Sequence, residues 1–587
     1  MNLGLYTYNA SIQMYHEVPF IQYVFQSLCY YIMKWLIGVV IVVVTLATII
    51  VALTISKSII TTESIEVDLP GQGAVLGSID ETLWTHQKFY SFRGVPYAES
   101  PSGKLRFKAP ISRAPWKGTF DARHFGKRCP DIGTVSLLNS SQLKEDLEDC
   151  LSLSIYTKNL DAKQPVMFYI YGGGFYNGSA SNHPPYYLLE KDMVLVVVQY
   201  RVGALGWLTT LTDEMPGNAP LMDVLLALDW VQKYIHVFGG DPASVTIFGQ
   251  SAGTAMSGVL LMSPKSSVKH FKRSILQSGS IMGPWGINRA PLQQVESICE
   301  ALNCVGCKMK QKQHECLERV DVFNLLKVTR KVRFSPVIGD VHGILPTEPK
   351  TLLESLNRTA SFMMGFTKHD GSFALANTYD DIVSIHGSIS KLTVRQFANI
   401  LIDGNNDYTK LSNNVLLRML FKQEILDTYN HTAAWPAYID IANIVYMKSP
   451  VIAYANALQR LSGTKDVYMY SFDYAGEHTR FGYYKSNAHY PFYGGVHHTN
   501  DNIYLFATHQ LNEKDTKFSK KMVDLWYNFA AEGEPRVEDQ PELFIPAMET
   551  ESGPYFHIDK EVTLGSDILT ELTATVDDPY NYKLIKS

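Results

Sequence analysis

The chain has 587 residues, of which 46% are hydrophobic and 19% are charged. This is the composition of an ordinary globular protein, and it excludes the disordered, collagen-like and low-complexity classes. The 52 basic and 57 acidic residues give a formal net charge of −5. Because no overall basic field exists to hold a polyanion, we expect no nucleic-acid partner.

Residues 35–55 form an uncharged run in which valine, isoleucine and leucine dominate. A helix of this length reaches about 31 Å, which is the thickness of a bilayer core. We therefore predict a transmembrane signal anchor at 35–55, with a short cytoplasmic tail at 1–34 and a linker at 56–66. No cleavage site of the AxA type is evident, which favours an uncleaved anchor. A chain started at Met33 would have a shorter leader and would be secreted.

Cys29 precedes the apolar run, and the other six of the seven cysteines follow it. Six thiols in an oxidising compartment form up to three bridges, and the sequence alone allows 15 pairings. Cys304 and Cys307 have the CxxC spacing of a zinc site. No second pair follows at zinc-finger spacing, so we expect no metal.

Three glycosylation sequons also follow the apolar run, and they begin at Asn139, Asn357 and Asn430. Such sequons are used only where the chain is lumenal or extracellular. With the cysteine distribution, they favour a single-pass membrane protein whose N-terminus is inside the cell and whose remainder is outside. Secretion after signal cleavage is the alternative.

Two segments have the pattern of a strand that ends in a glycine-rich turn. Residues 166–170 are apolar and run into YGGGF at 171–175, and residues 244–248 alternate apolar and polar side chains before GQSAG at 249–253. The GxSxG spacing is typical of a nucleophile elbow, because the serine has a strained backbone and neighbouring elements crowd the turn. Taken alone the motif is weak evidence, so its context decides.

That context resembles the type B carboxylesterase and cholinesterase family of α/β-hydrolases over residues 67–575. The matching blocks follow one another in the family's order: FRGVPYA at 92–98, LRF at 105–107, EDCL at 148–151, QYRVG at 199–203, FGGDP at 238–242 and QSGS at 277–280. The resemblance implies an α/β-hydrolase fold, with a mostly parallel central sheet flanked by helices and preceded by one transmembrane helix. It also implies one catalytic domain at 67–575, followed by a tail at 576–587.

In such an enzyme the serine hydroxyl needs a base to accept its proton and an acid to orient that base. By resemblance the nucleophile is Ser251, and GVHH at 495–498 before YLF at 504–506 selects His498 as the base. Its neighbour His497 is the alternative. The block at 364–373 places Asp370 where most relatives have glutamate. Aspartate is one methylene shorter, but other Ser-His-acid enzymes use it, so we expect function to be retained.

The resemblance assigns the oxyanion hole to the backbone N–H groups of Gly173, Gly174 and Ala252, since glycines let the backbone approach a substrate oxygen. Tyr171 stands where many esterases have histidine, and cholinesterases also use tyrosine there. No cofactor is expected for this chemistry.

Two departures limit the substrate, which we expect to be a small-molecule ester. Gln250 replaces the glutamate usual before the nucleophile, and no tryptophan occurs between Cys129 and Cys150, where cholinesterases place the one that binds choline. We therefore predict that the protein is not an acetylcholinesterase. Juvenile hormone esterases share the GQSAG elbow, so that hormone is an alternative. In the acidic cluster at 145–149, an ion pair of Glu148 with Arg106, as the resemblance suggests, is favoured over a metal site.

The resemblance also pairs Cys129 with Cys150 and Cys304 with Cys316. It leaves Cys299 and Cys307 as extra cysteines, for which mutual pairing is one option.

Two functional hypotheses remain. The favoured one is a membrane-anchored or secreted hydrolase that cleaves carboxylic esters through an acyl-serine intermediate. The other is an adhesion ectodomain like those of neurotactin and neuroligin, with a cell-surface protein partner and little or no catalysis. Adhesion members commonly lack the serine or the histidine, and this chain keeps both.

Overall fold

The computed structural model describes residues 28, 30–46, 63–131, 133, 146–266, 269–356, 360–403, 409–461, 466–482 and 490–579. The chain divides into two units, Met1–Glu63 and Ser64–Ser587. The predicted boundaries at 56–66, 67–575 and 576–587 stay predictions.

In the first unit, residues 30–46 form a helix whose side chains are exposed. They include the apolar side chains of Leu36, Ile41 and Val43. Within the described residues, no helix is both long and apolar enough to cross a membrane. The second part of the predicted anchor, residues 47–55, lies outside the described residues, as does Cys29.

In the second unit, the described residues form one mixed sheet of 13 strands in the order β1-β2-β3-β5-β7-β6-β8-β9-β10-β11-β12-β13, with β4 paired to β2. The strands are β1 (Ser64–Leu69), β2 (Gly73–Glu81), β3 (Lys88–Pro96), β4 (Thr119–Asp121), β5 (Ser152–Thr157), β6 (Gln164–Ile170), β7 (Val194–Val198), β8 (Gly240–Gln250), β9 (Arg273–Gln277), β10 (Ser361–Thr367), β11 (Val467–Phe472), β12 (Tyr555–Ile558) and β13 (Val562–Gly565).

Helices occupy most of the connections between the later strands. They are α1 (Gly203–Trp207), α2 (Ala219–Tyr234), α3 (Ala252–Met262), α4 (Pro291–Ala301), α5 (Lys310–Arg319), α6 (Val322–Val328), α7 (Pro349–Glu354), α8 (Ser372–His386), α9 (Val394–Asp403), α10 (Thr409–Leu420), α11 (Gln423–Leu426), α12 (Trp435–Ala442), α13 (Lys448–Gln459), α14 (Glu513–Glu532) and α15 (Ala574–Asp577). A π-helical turn, Asn443–Met447, joins α12 to α13.

The centre of the sheet, from β7 through β12, is parallel, whereas its two edges are antiparallel apart from the parallel pairing of β4 with β2. Strand β7 has the sequence VLVVV and is buried at every position. Such continuous apolar runs are typical of parallel strands covered on both faces. The predicted α/β architecture is confirmed, and it is consistent with an α/β-hydrolase fold. Because parallel strands end at one edge, the segments that follow β6, β8 and β10 lie at the same edge of the sheet.

Two apolar clusters stabilise this unit. The larger surrounds the sheet and takes in α2, α3, α13 and α14. The smaller is helical, with Phe397, Trp435 and Tyr438 at its centre and Leu375 of α8 as one member. Strand β10 belongs to the first cluster and α8 to the second, so residues 368–371 connect the two.

Three disulfides join the cysteines after the apolar run: Cys129–Cys150, Cys299–Cys307 and Cys304–Cys316. They indicate an extracellular or secreted domain, because disulfides persist in oxidising compartments. Of the sequon asparagines, Asn430 is exposed, whereas Asn139 and Asn357 lie outside the described residues.

Candidate active site

The predicted elbow is a sharp turn between β8 and α3. Strand β8 ends at Gln250 and α3 begins at Ala252. Ser251 between them has φ +58° and ψ −123°, in a region that residues other than glycine rarely enter. A Cβ atom at Gly253 would overlap the carbonyl oxygens of Ile170 and Tyr171, the second at 2.7 Å. The turn is therefore fixed by backbone packed directly against the end of β6.

The structure brings Ser251, His498 and Asp370 together in one hydrogen-bonded row. Ser251 Oγ lies 2.8 Å from His498 Nε2, and His498 Nδ1 lies 2.6 Å from Asp370 Oδ1. The three residues are 8%, 3% and 0% exposed. In this row the imidazole is placed to accept the hydroxyl proton, while the carboxylate holds the Nδ1–H and favours the charged ring that results.

The shorter acid reaches the imidazole. Asp370 follows β10 by three residues, and its second oxygen, Oδ2, accepts a hydrogen bond from the Thr367 N–H at 3.2 Å. The alternative base, His497, has a different neighbour, because its Nδ1 lies 2.6 Å from Ser372 Oγ. Of the two adjacent histidines, His498 is the one beside Ser251.

Two further side chains contact the His498 ring. The Gln250 amide nitrogen lies 3.3 Å from Nε2, on the same ring atom that faces Ser251. The Phe373 ring stacks on the imidazole with centroids 4.8 Å apart. The sequence identified Gln250 only as a missing charge. Its contact with the ring depends on the elbow bringing residue 250 back toward residue 498.

A second buried carboxylate, Asp501, was missed by sequence reasoning. It accepts a hydrogen bond from the Gln277 amide at 2.8 Å, and Gln277 Oε1 in turn accepts one from Trp526 Nε1. Burial raises the pKa of Asp501 to about 6, and the charge of Asp370 adds to that shift, while the Gln277 amide opposes it. Gln277 is part of the QSGS block, but no spacing linked it to residue 501.

The glycines after β6 lie beside the elbow. A Cβ atom at Gly172 would come within 2.9 Å of Ser251 Cβ. Gly173 has φ +128°, and a Cβ there would overlap the backbone of Asn177, so this turn requires glycine. Gly174 follows with φ +59°. The two predicted oxyanion segments, 173–174 and the start of α3 at Ala252, therefore lie at the same edge of the sheet as Ser251.

Tyr171, just before these glycines, is buried and stacked on Tyr200, with centroids 4.4 Å apart. Its hydroxyl accepts a hydrogen bond from the Gln199 amide at 2.7 Å, and burial raises its pKa. The tyrosine thus has a supporting role in the turn that does not depend on substrate.

The described residues contain one group of potential metal ligands, Asp473, His557 and Glu571, whose ligand atoms all lie within 4.8 Å of one another. His557 Nδ1 lies 2.9 Å from Asp473 Oδ2, and Glu571 accepts a hydrogen bond from Tyr555 at 3.0 Å. All three side chains therefore already have hydrogen-bond partners within the protein.

In the acidic cluster before Cys150, the predicted ion pair is present, with Arg106 Nε 2.9 Å from Glu148 Oε2. Burial raises the pKa of Glu148, and Arg106 opposes that shift. Residue 145 of the same cluster lies outside the described residues.

Comparison with known proteins gives one consistent family. The model of the Carboxylesterase family matches residues 61–576. The juvenile hormone esterase of Tribolium castaneum is 30% identical over 79% of this chain and 83% of its own length, and carboxylesterase 5A of Canis lupus familiaris is 30% identical over 84% and 86%. Glutactin of Drosophila melanogaster is 28% identical over 83% of this chain, which spans about half (49%) of that longer protein.

Proposed function

Because the chain belongs to the carboxylesterase family, whose named esterase relatives support a carboxylic ester hydrolase, we propose that it cleaves esters through an acyl intermediate on Ser251. The observation that carries the proposal is the row of Ser251, His498 and Asp370, with contacts of 2.8 and 2.6 Å. A family member without catalysis has no need to keep a strained serine in contact with a histidine and a buried acid.

In the proposed reaction, His498 Nε2 takes the Ser251 proton as Oγ attacks the ester carbonyl carbon. Asp370 holds the Nδ1–H and stabilises the imidazolium without taking its proton. The imidazolium then gives its proton to the leaving alkoxide, which departs as the alcohol. Water then attacks the acyl carbon as His498 takes one of its protons. That proton passes to Ser251 Oγ as the acyl–Oγ bond breaks, and the acid product leaves.

The backbone N–H groups of Gly173, Gly174 and Ala252 are the proposed donors to the tetrahedral oxyanion. The support for this assignment is that both segments border Ser251 and that glycine leaves no side chain in the way. Donors fixed in advance by the fold cost no reorganisation when charge develops, which is why such holes supply a large part of catalysis.

The proposed substrate is a small, uncharged carboxylic ester. Gln250 places an amide, rather than a carboxylate, against the His498 ring, so a cationic alcohol group finds no partner there. Acetylcholine is accordingly a poor substrate in this proposal, although an acetylcholinesterase of Electrophorus electricus is 30% identical over 76% of the chain. Juvenile hormone is the specific ester to test, because a relative is named for it.

We propose that residues 35–55 anchor the enzyme in a membrane and that the hydrolase unit is lumenal or extracellular, with glycans at Asn139, Asn357 and Asn430. The three disulfides and the exposed position of Asn430 support this placement. Release after signal cleavage is the alternative. Carbonate extraction and glycosidase treatment of membranes from expressing cells would separate the two.

The test of catalysis uses the full chain expressed in insect cells and titrated with a fluorophosphonate probe. We expect one probe per chain, turnover of p-nitrophenyl acetate and butyrate, and loss of both in Ser251→Ala. The matched control is Ser519→Ala, which removes another buried serine hydroxyl, one that donates to the Tyr504 carbonyl at 2.6 Å. Folded wild-type protein that neither labels nor turns over would contradict the proposal and favour an adhesion role.

A further inference from the structure

The acid and the base come from two short segments that face each other, residues 369–372 (the acid segment) and 496–498 (the base segment). Besides the bond of His498 to Asp370, three hydrogen bonds join them. The His369 N–H donates to the Val496 carbonyl at 3.0 Å, and the Val496 N–H donates to His369 Nδ1 at 2.9 Å. The third joins Ser372 Oγ and His497 Nδ1, 2.6 Å apart. We call these three bonds the clamp.

The clamp lies in the interior of the protein. His369, Ser372 and His497 are all buried. Burial holds the pKa of both histidines well below the usual value for histidine, so both rings stay neutral. The neutral form is the one the geometry needs, because His369 Nδ1 is an acceptor and a protonated ring has only donors. Hydrogen bonds shielded from water in this way are strong and directional.

The remaining residue of the acid segment is fixed from a third side. The Gly371 N–H donates to Asn443 Oδ1 at 2.6 Å, in the π-helical turn before α13. A Cβ at Gly371 would overlap Asn443 N and the Ile439 carbonyl. Each of the four consecutive residues 369–372 therefore has its own partner, and the segment has little freedom to move away from the base.

This clamp addresses the difficulty that an aspartate creates. Asp370 and His498 are 128 residues apart in the chain, so their bond depends on where the fold places the two segments. Aspartate is shorter than glutamate by one methylene, and the backbone must make up that length for Nδ1 to be reached. The clamp bonds of Ser372 and of the two histidines link the two segments to each other and not to Ser251, so we expect these residues to act through position.

We propose that His369, Ser372 and His497 are positioning residues, which hold the acid segment close enough to the base segment for an aspartate to orient His498. The inference rests on the proposed esterase function and adds the residues that position Asp370 to orient His498. It predicts that breaking the clamp lowers the turnover number while substrate affinity is kept.

The first test breaks one bond from either side, with Ser372→Ala and with His497→Phe. The phenyl ring keeps a planar aromatic side chain among Phe373 and Phe481 but has no nitrogen to bond Ser372. We expect kcat to fall about 10- to 100-fold in each, as for other small displacements of catalytic groups, with KM changed less than about threefold. The double variant should be no worse than the poorer single one, because both changes remove the same bond. Final fluorophosphonate stoichiometry should stay at one, reached more slowly.

The control is His431→Gln, another buried histidine, whose Nδ1 lies 2.8 Å from the Tyr438 hydroxyl in the helical cluster. It leaves the sequon at Asn430 intact and should keep wild-type kcat. Wild-type kcat in both Ser372→Ala and His497→Phe would overturn the positioning role, whereas a wild-type protein that never labels would overturn the esterase proposal instead. The two failures are thereby distinguished.

A second test covers the case in which these variants fold poorly. Asp370→Glu adds the methylene that most relatives have, and an intact clamp leaves no room for it, so we expect kcat to fall at least about 10-fold. Asp370→Glu combined with Ser372→Ala should recover activity above that of Asp370→Glu alone, since one of the three clamp bonds is then removed and the segments can move further apart. Full activity of Asp370→Glu with the clamp intact would contradict the proposal.

Discussion

The elbow at 249–253 and the clamp between 369–372 and 496–498 are held by different kinds of contact. In the elbow, backbone lies against backbone, and Gly253 has no space for a single Cβ atom between α3 and the end of β6. In the clamp, three separate hydrogen bonds, two of which use side chains, join segments that are far apart in the chain. A substitution that disrupts the elbow should therefore destroy the geometry of the site completely. Substitutions in the clamp should weaken it by one hydrogen bond at a time.

The largest effect is expected for Gly253→Ala. The added methyl group would overlap the carbonyl oxygens of Ile170 and Tyr171, and neither belongs to a flexible side chain. We expect no fluorophosphonate labelling, with little or no folded protein recovered. Gly258→Ala, five residues along the same helix, is the control, because the nearest atom to its Cβ is the Tyr454 hydroxyl oxygen at 3.4 Å. Alanine favours the helix there by up to about 1 kcal/mol, so that variant should fold and label.

Next in size is Asp370→Asn, which keeps the clamp and changes only the acid. The amide keeps the shape of the carboxylate but supports the wrong tautomer of His498, and loss of the charge destabilises the imidazolium. In serine proteases this change costs about 10⁴-fold in kcat, and we expect a similar loss here. Thermal unfolding should stay close to wild type, since the single amide oxygen of asparagine can take the place of Oδ2 and still accept from the Thr367 N–H. Activity within tenfold of wild type would mean that another group orients the base.

The same contrast decides what could be predicted from the sequence. The steric constraints on the elbow act within two residues of Ser251, so they appear in the sequence as the spacing of two glycines. The strand, the turn and the helix there were therefore predicted correctly. The parallel sheet followed from the family resemblance. His369 and His497 are two of 17 histidines. The sequence marked His497 only as the alternative base, with no sign of its bond to Ser372, and nothing marked His369. Tertiary packing brings His369 to Val496, 127 positions away, and His497 to Ser372, 125 positions away. Asp501 was missed for the same reason, because its only marker is burial.

Acid should open the clamp before the elbow. A histidine whose pKa is lowered by folding stabilises the native state above the unfolded value near 6.5, and this stabilisation is lost as the pH falls below it. For His369 the burial effect is reinforced by Lys448 and Lys368 and opposed by Asp473, and for His497 it is reinforced by His498. For each proton taken up on opening, the free energy of opening falls by at most about 1.4 kcal/mol for every unit by which the pH decreases.

The measurement is amide hydrogen exchange at pH 7 and pH 5, corrected for the intrinsic rates. We expect protection to fall in the acid and base segments while that of the elbow, which contains no titratable side chain, changes less. In His497→Phe the pH dependence of the base segment should be smaller, because one of the two protons can no longer bind. Equal loss of protection in all three segments would indicate global unfolding and not a local weakness of the clamp.

The smallest effect is expected at Asp501, which belongs to neither the elbow nor the clamp and adds charge near both His498 and Asp370. Because its pKa is raised to about 6 in the folded protein, wild-type stability should decline as pH rises from about 4, the unfolded value, through 6. Asp501→Asn removes this decline, with a gain at pH 7 of at most about 3 kcal/mol, reduced by any strain in the bond from Gln277.

The same variant compares charge with position at the active site. Asp501 Oδ2 accepts its hydrogen bond from the Gln277 amide and lies outside the row of Ser251, His498 and Asp370, so Asp501→Asn should keep the plateau of kcat/KM within about threefold of wild type. Breaking the clamp should lower that plateau about 10- to 100-fold, because Asp370 is then displaced from His498. Assaying Asp501→Asn and Ser372→Ala side by side would therefore show whether the position of the acid matters more to the reaction than a nearby buried charge. A plateau lowered equally in both variants would mean that the carboxylate at position 501 matters as much as the clamp.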